Sequence, residues 1–279
     1  MVRYFYNERS EFMYCDFHTH TSFSSDGKAT AEEQIEKAIS LGMKKICITD
    51  HHDIGYPNEH GLSFNIDPDE YVTCLRALRE KYADKIGVLI GIELGLQPKL
   101  TKELNAFVSA HDFDFVIGST HLVGGKDPCF SDFFETNSES EAIRKYLEEV
   151  LLNVKNFDNF NVVGHIDYIV RYTPSRGGNY NCHDYFDIID EILKTVIARG
   201  QGIECNTSRI GCGKLHCNPH EDIIRRYKEL GGEIITLGSD SHMPRTLANG
   251  FDKAGEILKA AGFEYYTVFE NRKPKFVRL

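Results

Sequence analysis

His18 and His20 stand two residues apart in the stretch DFHTHTSFSSDG, just after an apolar run and just before a Ser-Asp-Gly turn. Side chains at i and i+2 of an extended strand share a face, so two imidazoles placed this way at a strand end can hold one metal ion. Such a pair also arises by chance, and the idea needs donors from elsewhere in the chain. They are present. KKICITDHHD ends at Asp50, His51 and His52, and VLIGIELGL carries Glu93 among aliphatic residues. FVIGSTH ends at His121, VVGHIDY brings His165 and Asp167, GIECNTSR brings Asn206 and Arg209, and IITLGSDSH brings Asp240 and His242.

A polar residue after one strand is ordinary, because strands lead into solvated loops. A carboxylate inside an apolar strand, as at Glu93, is costly to bury unpaired. Six histidines and several carboxylates at successive strand ends together point to a metal site. Mixed imidazole and carboxylate donors suit zinc, manganese or iron better than magnesium or calcium. One zinc takes three or four protein ligands, and about nine candidate donors are enough for two or three ions sharing a carboxylate. Sites of that kind clamp the oxygens of a phosphoryl group.

The elements that must position these residues are legible. Strand-like runs fall at Tyr14–His18, Lys45–Thr49, Val88–Leu94, Phe115–Ser119, Val162–His165, Gly202–Asn206 and Glu233–Leu237. Helices with readable starts lie between many of them. Thr30 with Glu33 makes a capping box and Gly42 closes that helix; Ser138 with Glu141 makes a second box. Asp67-Pro68 with Glu70 opens another helix, and Asn218-Pro219 with Glu221 is expected to open a fourth, ending at Gly231-Gly232. Strand–helix alternation repeated about seven times reads as parallel α/β. An open doubly wound sheet concentrates its chemistry near one switch point, whereas a closed barrel collects it at the C-terminal ends of many strands. Here seven strand ends contribute.

The chain has 279 residues with a net charge of −10 and no block of Lys or Arg. That argues against a nucleic-acid or anionic-membrane surface as the main partner, while an anionic small molecule remains compatible if cations line its site. The opening MVRYFYNERSEF lacks the apolar stretch of a signal peptide and no run reaches the length of a membrane span, so a cytoplasmic location is expected. Eight cysteines, none paired as C-x-x-C, read as reduced thiols acting as small core residues, with Cys212 and Cys217 a lesser metal possibility. Residues 1–279 are expected to form one domain.

The order H-x-H, D-G, D-H, G-x-E, S-T-H, G-H-x-D and a late S-D-x-H resembles the PHP (polymerase and histidinol phosphatase) superfamily over essentially the whole chain. Within it, the sequence is similar to the stand-alone histidinol-phosphate phosphatases, including the ending YYTVFENRKPKFVRL. The resemblance implies a distorted (β/α)7 TIM-like barrel and hydrolysis of a phosphate monoester by hydroxide held between divalent ions. It also implies three ligand sets. One ion falls to His18, His20, Glu93 and Asp240; a second shares Glu93 and takes His121 and His165; a third uses Asp26, His51 and His242. Many relatives carry histidine where this chain has Asp26, and a turn-forming role in SSDG is the plain alternative there. Metal-held water, His242 or Asp240 would protonate the leaving alkoxide.

Arg171 and Arg209 lie just past strand ends, and their forked guanidinium groups suit a phosphate; Arg176 lies farther out. His52 should face away from His51. His216 and His220 are weaker candidates for touching substrate, and His60, His111 and His183 are expected to face solvent. The loop SRIGCGKLHCNP reads as a lid or as an ordinary loop, and GGK at Gly124–Lys126 lacks the context of a phosphate-binding loop. Asp167 and Glu59 are guesses for recognising the imidazole and amine of histidinol phosphate. Two other substrates or roles compete: another phosphoester such as a nucleotide, and a noncatalytic module that binds a polymerase. An amidohydrolase-type barrel fits less well, since it takes its bridge from strand four.

Overall fold

The computed structural model describes residues 14–57, 61–211, 213 and 216–279. Its centre is a parallel sheet of β1 (Lys45–Ile48), β2 (His51–His52), β3 (Gly87–Gly95), β4 (Phe115–Ser119), β5 (Val162–Val163), β6 (Gly202–Asn206) and β7 (Ile235–Gly238). The order is β1-β3-β4-β5-β6-β7, with β2 continuing the line of β1 along β3. Residues 14–20 close the ring between β1 and β7. On one side Cys47 donates to the Asp16 carbonyl (2.9 Å) and Thr49 to that of Thr19 (2.8 Å). On the other, Phe17 donates to the Leu237 carbonyl (2.9 Å) and Asp240 to that of His18 (2.8 Å).

The expected first strand is therefore present as a stave but pairs only through isolated bridges, Asp16 with Ile46 and Thr19 with Ser241. Its backbone is diverted to side chains: His18 N–H donates to Asp16 Oδ1 and Thr19 N–H to Thr49 Oγ1. With β2 and β5 only two residues long, the barrel is distorted.

Helices surround the ring. Both capping boxes form, at α1 (Ala31–Ser40) and α4 (Glu139–Asn156), and Asp67 caps α2 (Pro68–Lys81). Completing the set are α3 (Thr101–Ala110), α5 (Phe186–Ala198), the short α6 (Ser208–Gly211), α7 (Glu221–Glu229) and α8 (Phe251–Ala260). The sequence expectation for α7 needs correcting. Asn218 is still extended, exchanging backbone hydrogen bonds with Asn206, and the cap is His220, whose Nδ1 accepts from Asp222 N–H. The tail forms an antiparallel hairpin, β8 (Tyr265–Glu270) and β9 (Lys273–Arg278). It packs at the N-terminal ends of the strands, with Phe269 on Phe115 (ring centroids 5.2 Å apart) and Asn271 N–H on Asp114. The C-terminal ends stay open.

Phe17, Ile46, Ile48, Ile90, Ile92, Phe115 and Leu237 fill the barrel and its jacket with no solvent exposure worth noting. The described cysteines are free thiols, and Cys15, Cys47, Cys182, Cys205 and Cys217 are buried as expected; Cys212 lies outside the described residues. Among the described residues no helix is long and apolar enough to cross a membrane. Phe17 sits edge-on against Phe115 (5.1 Å) in the closing stave. Phe17→Ala is expected to cost about 3–5 kcal/mol through the cavity it leaves, read as a lower midpoint in urea unfolding.

Candidate metal centre

All nine candidate ligands meet at the C-terminal mouth of the barrel. Glu93, fully buried in β3, is the hub. Its Oε2 lies 3.2 Å from His18 Nε2, 3.5 Å from His20 Nε2 and 2.9 Å from His51 Nδ1. Its Oε1 lies 3.3 Å from His121 Nε2 and 3.0 Å from His165 Nε2, and accepts from Ser119 Oγ at 2.6 Å. Asp240 Oδ1 is 3.7 Å from His18 Nε2 and 3.4 Å from His20 Nε2. Asp26 Oδ2 is 2.9 Å from His242 Nε2 and 3.7 Å from His51 Nε2. Asp240 is held at φ 54°, a left-handed conformation rare for aspartate and met at functional sites.

Burial alone would raise Glu93, yet His18, His51 and His121 hold its carboxyl well below the usual range. Asp240 is likewise held low, against burial, by His18 and Arg171. Burial and the neighbouring His51 and His242 push His20 down to about 3, so its imidazole is neutral, the form that donates to a metal. His18 and His121 go the other way: burial opposes protonation, but Glu204 and Glu93 at one, and Asp53 and Glu93 at the other, outweigh it. In these two a proton offsets charge that an ion could offset instead.

The residues fit a metal. His18 Nε2, His20 Nε2, His51 Nδ1, Glu93 Oε2 and Asp26 Oδ1 are buried and make no hydrogen bond. An unsatisfied buried polar atom costs about 1–3 kcal/mol, and here the orphans are gathered in one place. Three or more ligand atoms fall within 4.8 Å of one another in His18/His20/Asp240, His18/Glu93/His165, His51/Glu93/His121 and His20/His51/His242. Glu93, offering a different oxygen to each side, can bridge two ions.

A surrounding layer aims these rings. Glu204 Oε1 lies 2.5 Å from His18 Nδ1 and Asp53 Oδ2 lies 2.7 Å from His121 Nδ1, turning each Nε2 inward. Glu204 Oε2 also accepts the backbone N–H of His165 (2.9 Å). Asp50 accepts from Thr21 and Ser24, and Ser24 Oγ in turn accepts from His51 N–H. A side chain at Gly238 would collide with Glu204 and His18, and one at Gly95 with Asp53, so both close approaches require glycine. Sequence reasoning missed Glu204 and Asp53. The signal was available for Glu204, a carboxylate within the apolar run GIECN, as at Glu93.

The mouth opens into a cavity of about 160 Å³. Asp26, His51, His121, His165, Asp240, His242 and Arg171 line it together with Tyr56, Leu62, Phe64, Asp127, Tyr168 and Tyr172; the Phe64 ring lies 4.9 Å from that of His51 and the Tyr168 ring 4.9 Å from that of His165. Arg171 is buried, with Nη1 on Asp240 Oδ2 (2.8 Å), Nε on Asn218 Oδ1 (2.9 Å) and Nη2 without a partner. Arg209 does not line the cavity; its Nη2 donates to the Arg176 carbonyl (3.1 Å).

The PHP domain family profile matches residues 16–208. The chain belongs to this family. The "Histidinol-phosphatase" of Lactococcus lactis subsp. lactis is 33% identical over 92% of this PHP chain and 95% of its own length. A "Probable histidinol-phosphatase" of Clostridium acetobutylicum is 33% identical over 95% of this chain and 100% of its own. Among solved structures, histidinol phosphate phosphatase from Lactococcus lactis, complexed with zinc, L-histidinol and phosphate, superposes with a TM-score of 0.86 at 32% identity, covering 94% of this chain and 99% of that one.

Other expectations for this PHP protein resolve as follows. His52 does face away from the centre, stacked on Phe107 (3.9 Å). His183 is exposed as expected, whereas His111 is mostly buried, because its Nδ1 bonds the Phe107 carbonyl and its ring packs on Phe107 and Phe113. His216 and His220 stack on each other (4.1 Å) and neither lines the cavity. Asp167 does not line the cavity; its oxygens accept from Asn218 Nδ2 (2.6 Å) and His220 N–H (3.0 Å). Glu59 and His60 lie outside the described residues, as do positions 212, 214 and 215 of the SRIGCGKLHCNP loop. Gly124 and Gly125 form a tight turn between Val123 and Lys126. Removing the carboxylate that orients His18, in Glu204→Gln, is expected to weaken zinc retention about 10–100-fold, measured by competition against a chromogenic chelator.

Proposed function

We propose that this chain, as a single domain, is a metal-dependent phosphomonoesterase that hydrolyses L-histidinol phosphate to L-histidinol and inorganic phosphate. The observation that carries the reaction class is the convergence of imidazole and carboxylate donors on the two oxygens of Glu93 beside a buried arginine with a free Nη2. The substrate comes from the relatives: the 33% identical protein is a histidinol-phosphatase, and the matching solved structure holds zinc, L-histidinol and phosphate.

His18, His20, Glu93 and Asp240 would hold one ion, and Glu93, His121 and His165 a second. When bound, the ions supply Lewis-acid charge to the phosphoryl oxygens and activate water as the nucleophile. Zinc fits the donors best, with manganese or iron accepted by the same set. Arg171 adds its unpartnered Nη2 to a phosphoryl oxygen while its Nη1 keeps Asp240 in place. Asp240, held ionised by His18 and Arg171, has no proton to donate. The proton for the departing alkoxide falls to His242: burial disfavours its charge, but Asp26 and Asp240 overcome this and raise it to about 9. Asp26, His51 and His242 can hold either that proton or a third ion.

The part of the cavity wall around Asp127 suits a cation. Asp127 is buried, its Oδ2 accepting from Tyr56 OH (2.7 Å) and its Oδ1 from Cys129 N–H (2.7 Å), with Phe64, Tyr168 and Tyr172 around it. A buried carboxylate beside aromatic faces favours an ammonium or imidazolium group. This matches the amine and ring of histidinol and offers nothing to a second anionic group.

Phosphate release from L-histidinol phosphate, a nucleoside monophosphate and p-nitrophenyl phosphate tests the reading. Turnover is expected to be far higher on histidinol phosphate, and a preference for the nucleotide would move the assignment to that rival. Asp127→Asn is expected to raise KM for histidinol phosphate about 10–100-fold, a charged hydrogen bond being worth about 1.5–3 kcal/mol, and to leave p-nitrophenyl phosphate unaffected. Arg171→Ala is expected to lower kcat/KM about 10²–10³-fold on both substrates, checked with metal content measured in parallel.

A further inference from the structure

A second group of metal-type donors stands outside the cavity. Cys182 and His183 open the 3-10 turn Cys182–Tyr185 that leads into α5, and His220 and Asp222 lie at the start of α7. A sulfur, a ring nitrogen and a carboxylate oxygen from Cys182, His183 and Asp222 all lie within 4.8 Å of one another. His183 Nε2 is 3.0 Å from Asp222 Oδ2. His220 Nδ1 is 3.8 Å from Cys182 Sγ and 3.9 Å from Asp222 Oδ2. Around a tetrahedral zinc with bonds of about 2.0–2.3 Å, donor atoms stand roughly 3.3–3.8 Å apart.

We propose that Cys182, His183, His220 and Asp222 form a further transition-metal site of the zinc class, separate from the Glu93 centre. One thiolate, two imidazoles and one carboxylate select zinc, cobalt or a similar ion over magnesium and calcium. The thiol proton, which burial and the Asp222 charge hold up to about 12, leaves for solvent as the sulfur–metal bond forms. His220 Nδ1 exchanges its capping bond from Asp222 N–H (3.1 Å) for the ion. Arg225 Nη1 occupies Asp222 Oδ1 (2.5 Å), leaving Oδ2 turned toward the other donors. His183 is more than half exposed, which gives an ion its way in from solvent.

The position has a use. His220 N–H holds Asp167 Oδ2 (3.0 Å), Asp167 Oδ1 holds Asn218 Nδ2 (2.6 Å), and Asn218 Oδ1 holds Arg171 Nε (2.9 Å). An ion joining the start of α7 to the 182–185 turn therefore clips down the segment against which Arg171 is aligned.

Cobalt(II) titration of the metal-stripped whole chain tests this, because thiolate bound to cobalt gives a near-ultraviolet charge-transfer band and the Glu93 donors include no sulfur. The wild type is expected to show the band and to bind one more cobalt per chain than Cys182→Ser. His183→Ala, an exposed change that leaves the core intact, is expected to lose the band and one bound cobalt per chain. If Cys182→Ser does not fold, His183→Ala decides alone. A wild type without the band overturns the proposal. So does a band that survives either substitution, as one arising from Cys129 beside the cavity would.

Discussion

The carboxylate of Glu93 is the constraint around which the rest is arranged. It lies in the middle of an aliphatic strand with no exposure to solvent, where an uncompensated charge would cost several kcal/mol. Five imidazoles approach its two oxygens within about 3.5 Å. Those rings come from the closing stave, β2 and the turns after β4 and β5, so the barrel must close for the charge to be met. Folding and site assembly are thus one problem. A parallel ring brings the C-terminal ends of strands distant in sequence to one mouth, and a single buried anion draws their donors to a point.

Compensation by histidine alone is incomplete. Several facing atoms remain without hydrogen bonds, and two of the rings hold protons that the surrounding carboxylates impose on them. A divalent ion resolves both at once, since it supplies positive charge and accepts the lone pairs that have nowhere else to go. The ring orientations are not left to the ion. Glu204 and Asp53 hold Nδ1 of His18 and His121 from behind, and Gly238 and Gly95 give those carboxylates room to approach. The centre is therefore set by the protein before any ion arrives, which limits the reorganisation that binding requires.

Much of this was legible in the sequence, for physical reasons. Metal donors at strand ends are sparse, polar and set against apolar runs, so His18, His20, Glu93, His121, His165 and Asp240 stand out, and seven such ends imply a ring. The capping boxes at Thr30 and Ser138 follow from local chemistry and formed as read. What escaped depended on contacts between distant segments. Glu204 acts through His18, 186 residues away, and through the His165 backbone. Asp127 acquires meaning from Tyr56 and the aromatic walls, none of which shares its local sequence. Asp167, a guess for reading the substrate, instead joins Asn218 and His220, more than fifty residues on in the chain. The start of α7 moved because Asn218 answers to Asn206 across the barrel rather than to its own neighbours.

The cavity wall joins imidazoles and Arg171 to one buried acid, Asp127, and several aromatic rings, so one small space can both react and discriminate. Its imidazoles and Arg171 attract phosphoryl oxygens whatever they are attached to. That attraction is common to all phosphomonoesters and selects none. In the proposed reading discrimination falls to Asp127, which would repel a second anion, and to the rings of Phe64, Tyr168 and Tyr172 that share its cavity. A buried acid that meets no cation is left poorly compensated, so the wrong substrate pays a penalty beyond the loss of a contact. Arg171 belongs to both arrangements: it steadies Asp240 on the metal side and packs over the face of Tyr168 at 5.3 Å on the other. An arginine tied to both would hold a phosphoryl group in register with the wall that reads the rest of the molecule.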